Sequence, residues 1–228
     1  MPDESRAERA FTPGLRVAHL TTVDSSLRYL LLPQLLAVIA AGGQAIGISA
    51  EGIDAAYLES RGIRHIALPG STRGMHPIAD LRAAIALWAI LRRERPDVLH
   101  THNPKPGIYG RIVGRLAGVP VVVNTVHGLY ATATDRWLKR LVVYALEAIA
   151  SRFSDAELVQ SAEDHRLLTR WRISPPRRTT LLGNGIDLTR FRQDGTSASP
   201  PCRARRSPRT PRPSPSARPS HPSPSAAA

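Results

Sequence analysis

The chain has 228 residues, 31 basic against 18 acidic, a formal net charge of +13 and one cysteine. A lone cysteine, Cys202, excludes an internal disulfide and a cysteine-based metal cluster, and fits a reducing cytoplasm. The positive charge fits an anionic ligand, a nucleic acid or an anionic membrane face without choosing among them; since 29 of the 31 basic residues are arginine, it reads first as compositional bias.

Residues 1–14 hold Asp3, Glu4 and Glu8 ahead of any apolar stretch. That is the wrong order for a secretory leader, so they are expected to form a flexible N-terminus. "LRVAHLTTV" (15–23) predicts a strand, and a helix follows over 26–41. From Tyr29 to Ala50 there are 22 residues without a charge, but Pro33, Gln34, Gly42, Gly43 and Gln44 divide them into helix, stop and strand, not a membrane span. "QAIGISA" (44–50) is the second strand, 54–62 a short helix, and "IRHIALP" (63–69) the third strand. A long helix is predicted over 77–95, with Ile78, Leu81, Ile85, Leu87, Trp88 and Leu91 as its apolar residues and arginines opposite.

"PDVLHTH" (96–102) predicts the fourth strand, 107–117 a helix, and 121–126 the fifth strand. A helix over 135–152, a sixth strand in "DAELVQS" (155–161), a helix capped by Ser161 and a last strand at 179–182 complete the pattern. Strands alternating with helical crossovers predict an α/β fold, a doubly wound Rossmann-like parallel sheet spanning 15–192. From Thr196 the sequence has nine prolines, six arginines and no acidic residue. It lacks the apolar residues that would offset its ordering entropy, so 193–228 reads as a disordered Arg/Pro/Ser-rich tail. Subtracting its six charges from +13 leaves +7 on the remainder.

Polar residues at strand ends are the candidates for function, because open α/β sheets bind ligands beyond the carboxyl ends of their strands. Val121–Val123 reads as sheet interior, yet the strand runs on into His127 and Gly128. The histidine is placed to donate to a ligand hydroxyl or phosphate, and the glycine to let a ligand approach the backbone. His100 and His102 point to one side of their strand, with Lys105 beyond; a metal site needs a third ligand, and none is indicated nearby. "TTVDSS" (21–26), which contains Asp24 and Ser25, ends the first strand and begins a helix, offering hydroxyls and backbone N–H groups suited to an anionic or hydroxyl-rich ligand. Gly107, Gly110, Gly114 and Gly118 place a smooth face on one helix for close packing on the sheet; the first strand lacks the G-x-G-x-x-G turn of a dinucleotide site.

"HTHNPKPGIYGRIVGRLAGVPVVVNTVHG" (100–128), "DAELVQSAEDHRLL" (155–168) and "LLGNGIDLTRF" (181–191) together resemble the N-terminal half of glycosyltransferase family 4. These are retaining nucleotide-sugar transferases of GT-B architecture, with an acceptor-side and a donor-side Rossmann-like domain. The resemblance implies transfer of a sugar from a nucleotide sugar to a glycan or lipid-linked acceptor in cell-surface polysaccharide assembly, with no cofactor and no metal. It implies that His127 is the catalytic histidine facing the donor sugar. Asp24, Ser25, His102, Lys105 and Gly128 would meet acceptor or phosphates, and Asn184, Gly185 and Asp187 would form the interdomain hinge. Members of the family often sit on the cytoplasmic membrane face, which implies a cytoplasmic protein for which peripheral membrane contact is one reading; Arg136, Trp137, Lys139 and Arg140 would serve there, and read equally as a solvated helix face.

The tail begins where the donor domain is expected, which predicts a truncated or frameshifted transferase, inactive alone. Two other readings stand beside it. One is a non-enzymatic α/β binding module whose basic tail holds nucleic acid or anionic lipid; the tail has no aromatic residue for base stacking, so no specific nucleic acid is expected. The other is half of a sugar-nucleotide epimerase of the same fold.

Overall fold

Short β-branched runs separated by helical stretches fold as seven strands: β1 (Arg16–Val23), β2 (Gln44–Ala50), β3 (Arg64–Ala67), β4 (Val98–His102), β5 (Val121–Val126), β6 (Ala156–Val159) and β7 (Thr179–Leu181). All pair in parallel, in the order β3-β2-β1-β4-β5-β6-β7. The computed structural model describes residues 14–72, 74, 76–102, 105–131 and 135–183. The expected flexible N-terminus (but for Gly14), the hinge residues Asn184, Gly185 and Asp187, and the tail lie outside them.

The crossovers are helical: α1 (Asp24–Ser26), a π turn (Leu27–Leu31), α2 (Leu32–Ala40), α3 (Ala55–Ser60), α4 (Pro77–Glu94), α5 (Lys105–Leu116), α6 (Trp137–Ala150) and α7 (Ala162–Arg170). The single helix expected over 26–41 is therefore interrupted by the π turn. Pro33 has no N–H to give the carbonyl of Tyr29, and the chain takes up the missing bond in the wider turn before it. Gly42, at φ 82°, ends α2, and Gly42 and Gly43 donate to the carbonyls of Ile39 and Val38. Ser161 caps α7 as its position predicts, accepting from the N–H groups of Glu163 and Asp164.

Among the described residues the sheet carries three apolar clusters, one of them Val126 and Val159 with Leu168 and Ile173 at the β5–β6 end. Ala18, Leu20, Ile46, Ile48, Leu99 and Val122 pack with Ala83, Leu87, Ile90 and Leu91 of α4 and Val113 of α5. On the opposite face Ala45 joins Leu27, Leu31, Leu35, Leu58 and Ile63. Helix α5 lies close because it carries glycine where it crosses the strands: a Cβ at Gly110 would come 2.5 Å from Leu20, and one at Gly114 2.5 Å from Leu99. Gly118 serves differently, turning the chain at φ 82° after the helix.

Helix α4 departs from the predicted pattern. Leu87 and Leu91 are buried, but Ile78, Leu81, Ile85 and Trp88 are exposed. It has two apolar faces, and only the one bearing Ala83, Leu87, Ile90 and Leu91 meets the sheet. Helix α6 likewise leaves Trp137, Leu138, Leu141 and Val142 exposed.

Candidate functional site

The strand order reverses between β1 and β4, so the crevice of this fold lies beyond their carboxyl ends. Successive residues of a strand face opposite sides of the sheet. With Ala18 and Leu20 committed to the α4–α5 core, His19 is turned to the other face. In register His19 pairs with His100 and His102 with Thr125, which gathers three imidazoles at the switch point. Ring centroids of His100 and His102 are 4.3 Å apart, and those of His19 and His100 4.9 Å.

A hydrogen-bonded row runs outward from this group. His19 Nδ1 meets His102 Nε2 at 3.2 Å, His102 Nδ1 meets His127 Nε2 at 3.0 Å, and His127 Nδ1 meets Gln160 Oε1 at 3.0 Å. His100 branches away, its Nε2 lying 2.7 Å from Thr125 Oγ1. His127 is half-buried just past β5, and Gly128 beside it has φ 137°, a backbone that side-chain-bearing residues rarely adopt. Burial, and then the charge that neighbouring histidines would carry, hold His19 and His102 well below the ordinary imidazole range. His100 is pushed down to about 4 by the same causes. Burial also lowers His127, against a hydrogen bond to Gln160 that raises it. All four rings are therefore neutral at pH 7.

The third histidine absent from the local sequence is thus supplied by β1, from more than 80 residues away. His19, His100 and His102 are the metal-type group among the described residues, with candidate ligand atoms within 4.8 Å of one another. Both ring nitrogens of His102 are already engaged, by His19 and His127. No carboxylate belongs to the group, so the arrangement is closed by its own hydrogen bonds.

The other predicted residues are placed as follows. Asp24 is buried, and both of its oxygens accept from backbone: Oδ1 from the N–H of Ser25 at 2.9 Å and Oδ2 from that of Asp54 at 2.7 Å. A Cβ on Gly52 would lie 2.2 Å from Asp24 Oδ2, so the carboxylate fills the turn after β2 and holds it against the end of β1. Ser25 is half-buried beside it. Lys105 forms an ion pair with Asp80 and donates to the carbonyl of Gly74, tying α5 to α4. Its charge is met within the domain.

Two features had no signal in the sequence. Arg111 is buried between Glu147 and Glu157, and Asn124 donates to Glu157 at 2.7 Å, a group assembled from α5, α6, β5 and β6. Beside it Ile108, Tyr130, Leu138, Val142, Val143 and Leu146, with Lys105, Arg136 and Lys139, line an apolar groove of about 550 Å³. Amphipathic spacing alone does not separate such a surface from core.

The family model described as Glycosyltransferase Family 4 matches residues 36–190. Over 135 residues the chain is 36% identical to the Escherichia coli UDP-Gal:alpha-D-GlcNAc-diphosphoundecaprenol alpha-1,3-galactosyltransferase, covering 59% of this chain and 35% of that protein. It is 27% identical over 122 residues to the capsular polysaccharide biosynthesis glycosyltransferase CapM of Staphylococcus aureus, covering 51% of this chain and 31% of that protein. Among solved structures, a glycosyltransferase from Rickettsia africae ESF-5 superposes with a TM-score of 0.59 at 16% identity, over 80% of this chain and 46% of that one. The chain spans about a third of the length of these curated relatives and about half of that structure.

Proposed function

The chain belongs to glycosyltransferase family 4, and from that premise we propose that it is the acceptor-side domain, residues 15–192, of a retaining transferase. The reaction moves a sugar from a nucleotide sugar to a lipid-linked diphosphate glycan in cell-surface polysaccharide assembly. The observation that carries this reading is His127 with Gly128 at the carboxyl end of β5, in the crevice at the switch point of the sheet. The name of the Escherichia coli relative supports the lipid-linked diphosphate acceptor, and that of the Staphylococcus aureus relative the assignment to polysaccharide assembly.

In this scheme the bond between the sugar and its diphosphate breaks, one to an acceptor hydroxyl oxygen forms, and the hydroxyl proton leaves on the departing diphosphate. His127 is neutral and donates to a sugar hydroxyl, while Gly128 leaves room for the ring. Charge developing on the departing diphosphate needs donors preorganised around it, and these fall to the donor-side half. The domain alone therefore binds acceptor without transferring sugar. Asp24 acts here through the backbone it holds, and His102 through His127, rather than by meeting the ligand.

The exposed apolar residues of α4 and α6 flank α5 on one side of the sheet. Trp137, at 73% exposure, and Leu141, at 57%, sit beside Arg136 and Arg140, a combination suited to an anionic membrane surface from which a lipid-linked acceptor is taken. No helix among the described residues is long and apolar enough to cross a membrane; the contact proposed for α6 is one with the membrane surface. The test is a backbone NMR titration with a short-chain prenyl-diphosphate N-acetylhexosamine in micelles, run beside a UDP-hexose. The lipid-linked compound is expected to shift residues of the α5–α6 groove; a groove that responds to the nucleotide sugar and not to the lipid-linked compound would overturn the assignment to the acceptor side.

A further inference from the structure

Three neutral histidines joined in a row across β1, β4 and the end of β5 do more than one donor to a sugar requires. His127 has Nδ1 on Gln160 Oε1 and Nε2 on His102 Nδ1, and His102 has its remaining nitrogen on His19 Nδ1. A neutral imidazole carries one N–H and one lone pair, so the proton positions in the row are not independent. A carbonyl oxygen only accepts; facing Gln160 Oε1, His127 carries its proton on Nδ1 and offers a lone pair at Nε2. His102 then donates from Nδ1 and accepts at Nε2, and His19 donates from Nδ1. One orientation of one amide at the carboxyl edge sets three rings.

We propose that Gln160, His102 and His19 are positioning residues that act through His127: the Gln160 oxygen sets its tautomer and the two buried rings follow and hold it, so that Nδ1–H is the donor it presents to a ligand hydroxyl. The inference rests on His127 being the sugar-facing histidine. Gln160 follows the last residue of β6, on the carboxyl edge where a ligand arrives, whereas His19 and His102 are 2% and 3% exposed. A ligand hydroxyl takes the place of the Gln160 oxygen as acceptor, while Nε2 stays tied to His102. The ring need not turn, and a buried N–H is never left without a partner. His100, its ring tilted against that of His102 and bonded to Thr125, closes the side of the row and takes no part in the relay.

The protonated ring nitrogen is read directly by long-range 1H–15N correlation on the histidine-labelled chain at pH 7.5. His127 is assigned by its loss in His127→Gln, and the exposed His76 serves as the solvent reference. Expected are Nδ1–H tautomers at His19, His102 and His127 together, unchanged in Gln160→Glu, where only an acceptor faces the row. In Gln160→Lys, where only a donor faces it, all three rings move their proton to Nε2. Both variants sit at the edge of the domain, and circular dichroism checks their fold. Wild-type His127 protonated on Nε2, or a lysine variant in which only His127 responds, overturns the proposal. The readout needs no sugar, so its failure leaves the acceptor reading standing, and a failed acceptor titration leaves the row standing.

Discussion

Acidification from pH 7 to pH 5 is expected to destabilise this domain strongly, and the buried histidines are the reason. In the unfolded chain each imidazole titrates near 6.5, whereas burial holds His19, His100 and His102 lower when folded, His100 at about 4. Above pH 6.5 the folded and unfolded rings are alike neutral, and nothing is lost. As the pH falls below 6.5 the unfolded state takes up protons that the folded state refuses, and stability drops until the folded rings charge in their turn, for His100 around pH 4. At pH 5 His100, held at about 4, costs roughly 2 kcal/mol, and His19 and His102 add to the loss in the same direction, against the roughly 5–15 kcal/mol available to a whole domain. Glu147 and Asp164, whose carboxyls burial pushes up, work in the opposite direction and offset part of the loss. Urea unfolding at pH 7, 6 and 5 measures the slope. A His19→Gln variant is expected to lose about one proton's worth of it, near 1.4 kcal/mol per pH unit. A free energy of unfolding that stays flat between pH 7 and 5 would refute the burial of neutral rings.

Three other outcomes follow from single contacts. Gly110→Ala drives a Cβ to 2.5 Å from Leu20 and is expected to cost about 1–3 kcal/mol in urea unfolding; an unchanged midpoint would mean α5 does not lie so close. Arg111→Leu leaves Glu147 and Glu157 facing each other in the interior, a loss of about 3–5 kcal/mol at pH 7, and much of it is expected back in the triple variant with Glu147→Gln and Glu157→Gln. Replacing Trp137 and Leu141 by serine is expected to abolish sedimentation with vesicles containing anionic lipid while leaving the melting temperature unchanged; undiminished sedimentation would move the membrane contact off α6.

The alternation of strand and helix was legible throughout because burial on both faces of a parallel sheet imposes continuous apolar runs, and strand ends were placed within a few residues. Val121 and Val122 show the limit. One run of valines contains one residue at 39% exposure and one at 0%, because burial at a strand's first residue depends on neighbours that local sequence does not name. Helix α4 shows it again, with Ile85 and Leu87 equally apolar in sequence but on opposite sides of the helix in the fold.

The site divides along the same line. That His127 and Gly128 end a central strand follows from local pattern, since the valine run fixes the strand and the glycine its end. That Asp24 is spent on a turn near Asp54, that Lys105 is neutralised by Asp80 and that His19 completes a row with His102 was decided by tertiary structure. Each of these contacts joins residues 25 or more positions apart. Side-chain spacing along one strand or helix carries no information about which neighbour the sheet order brings beside it; the parallel pairing of β1 with β4, across the point where the order reverses, supplied that neighbour here.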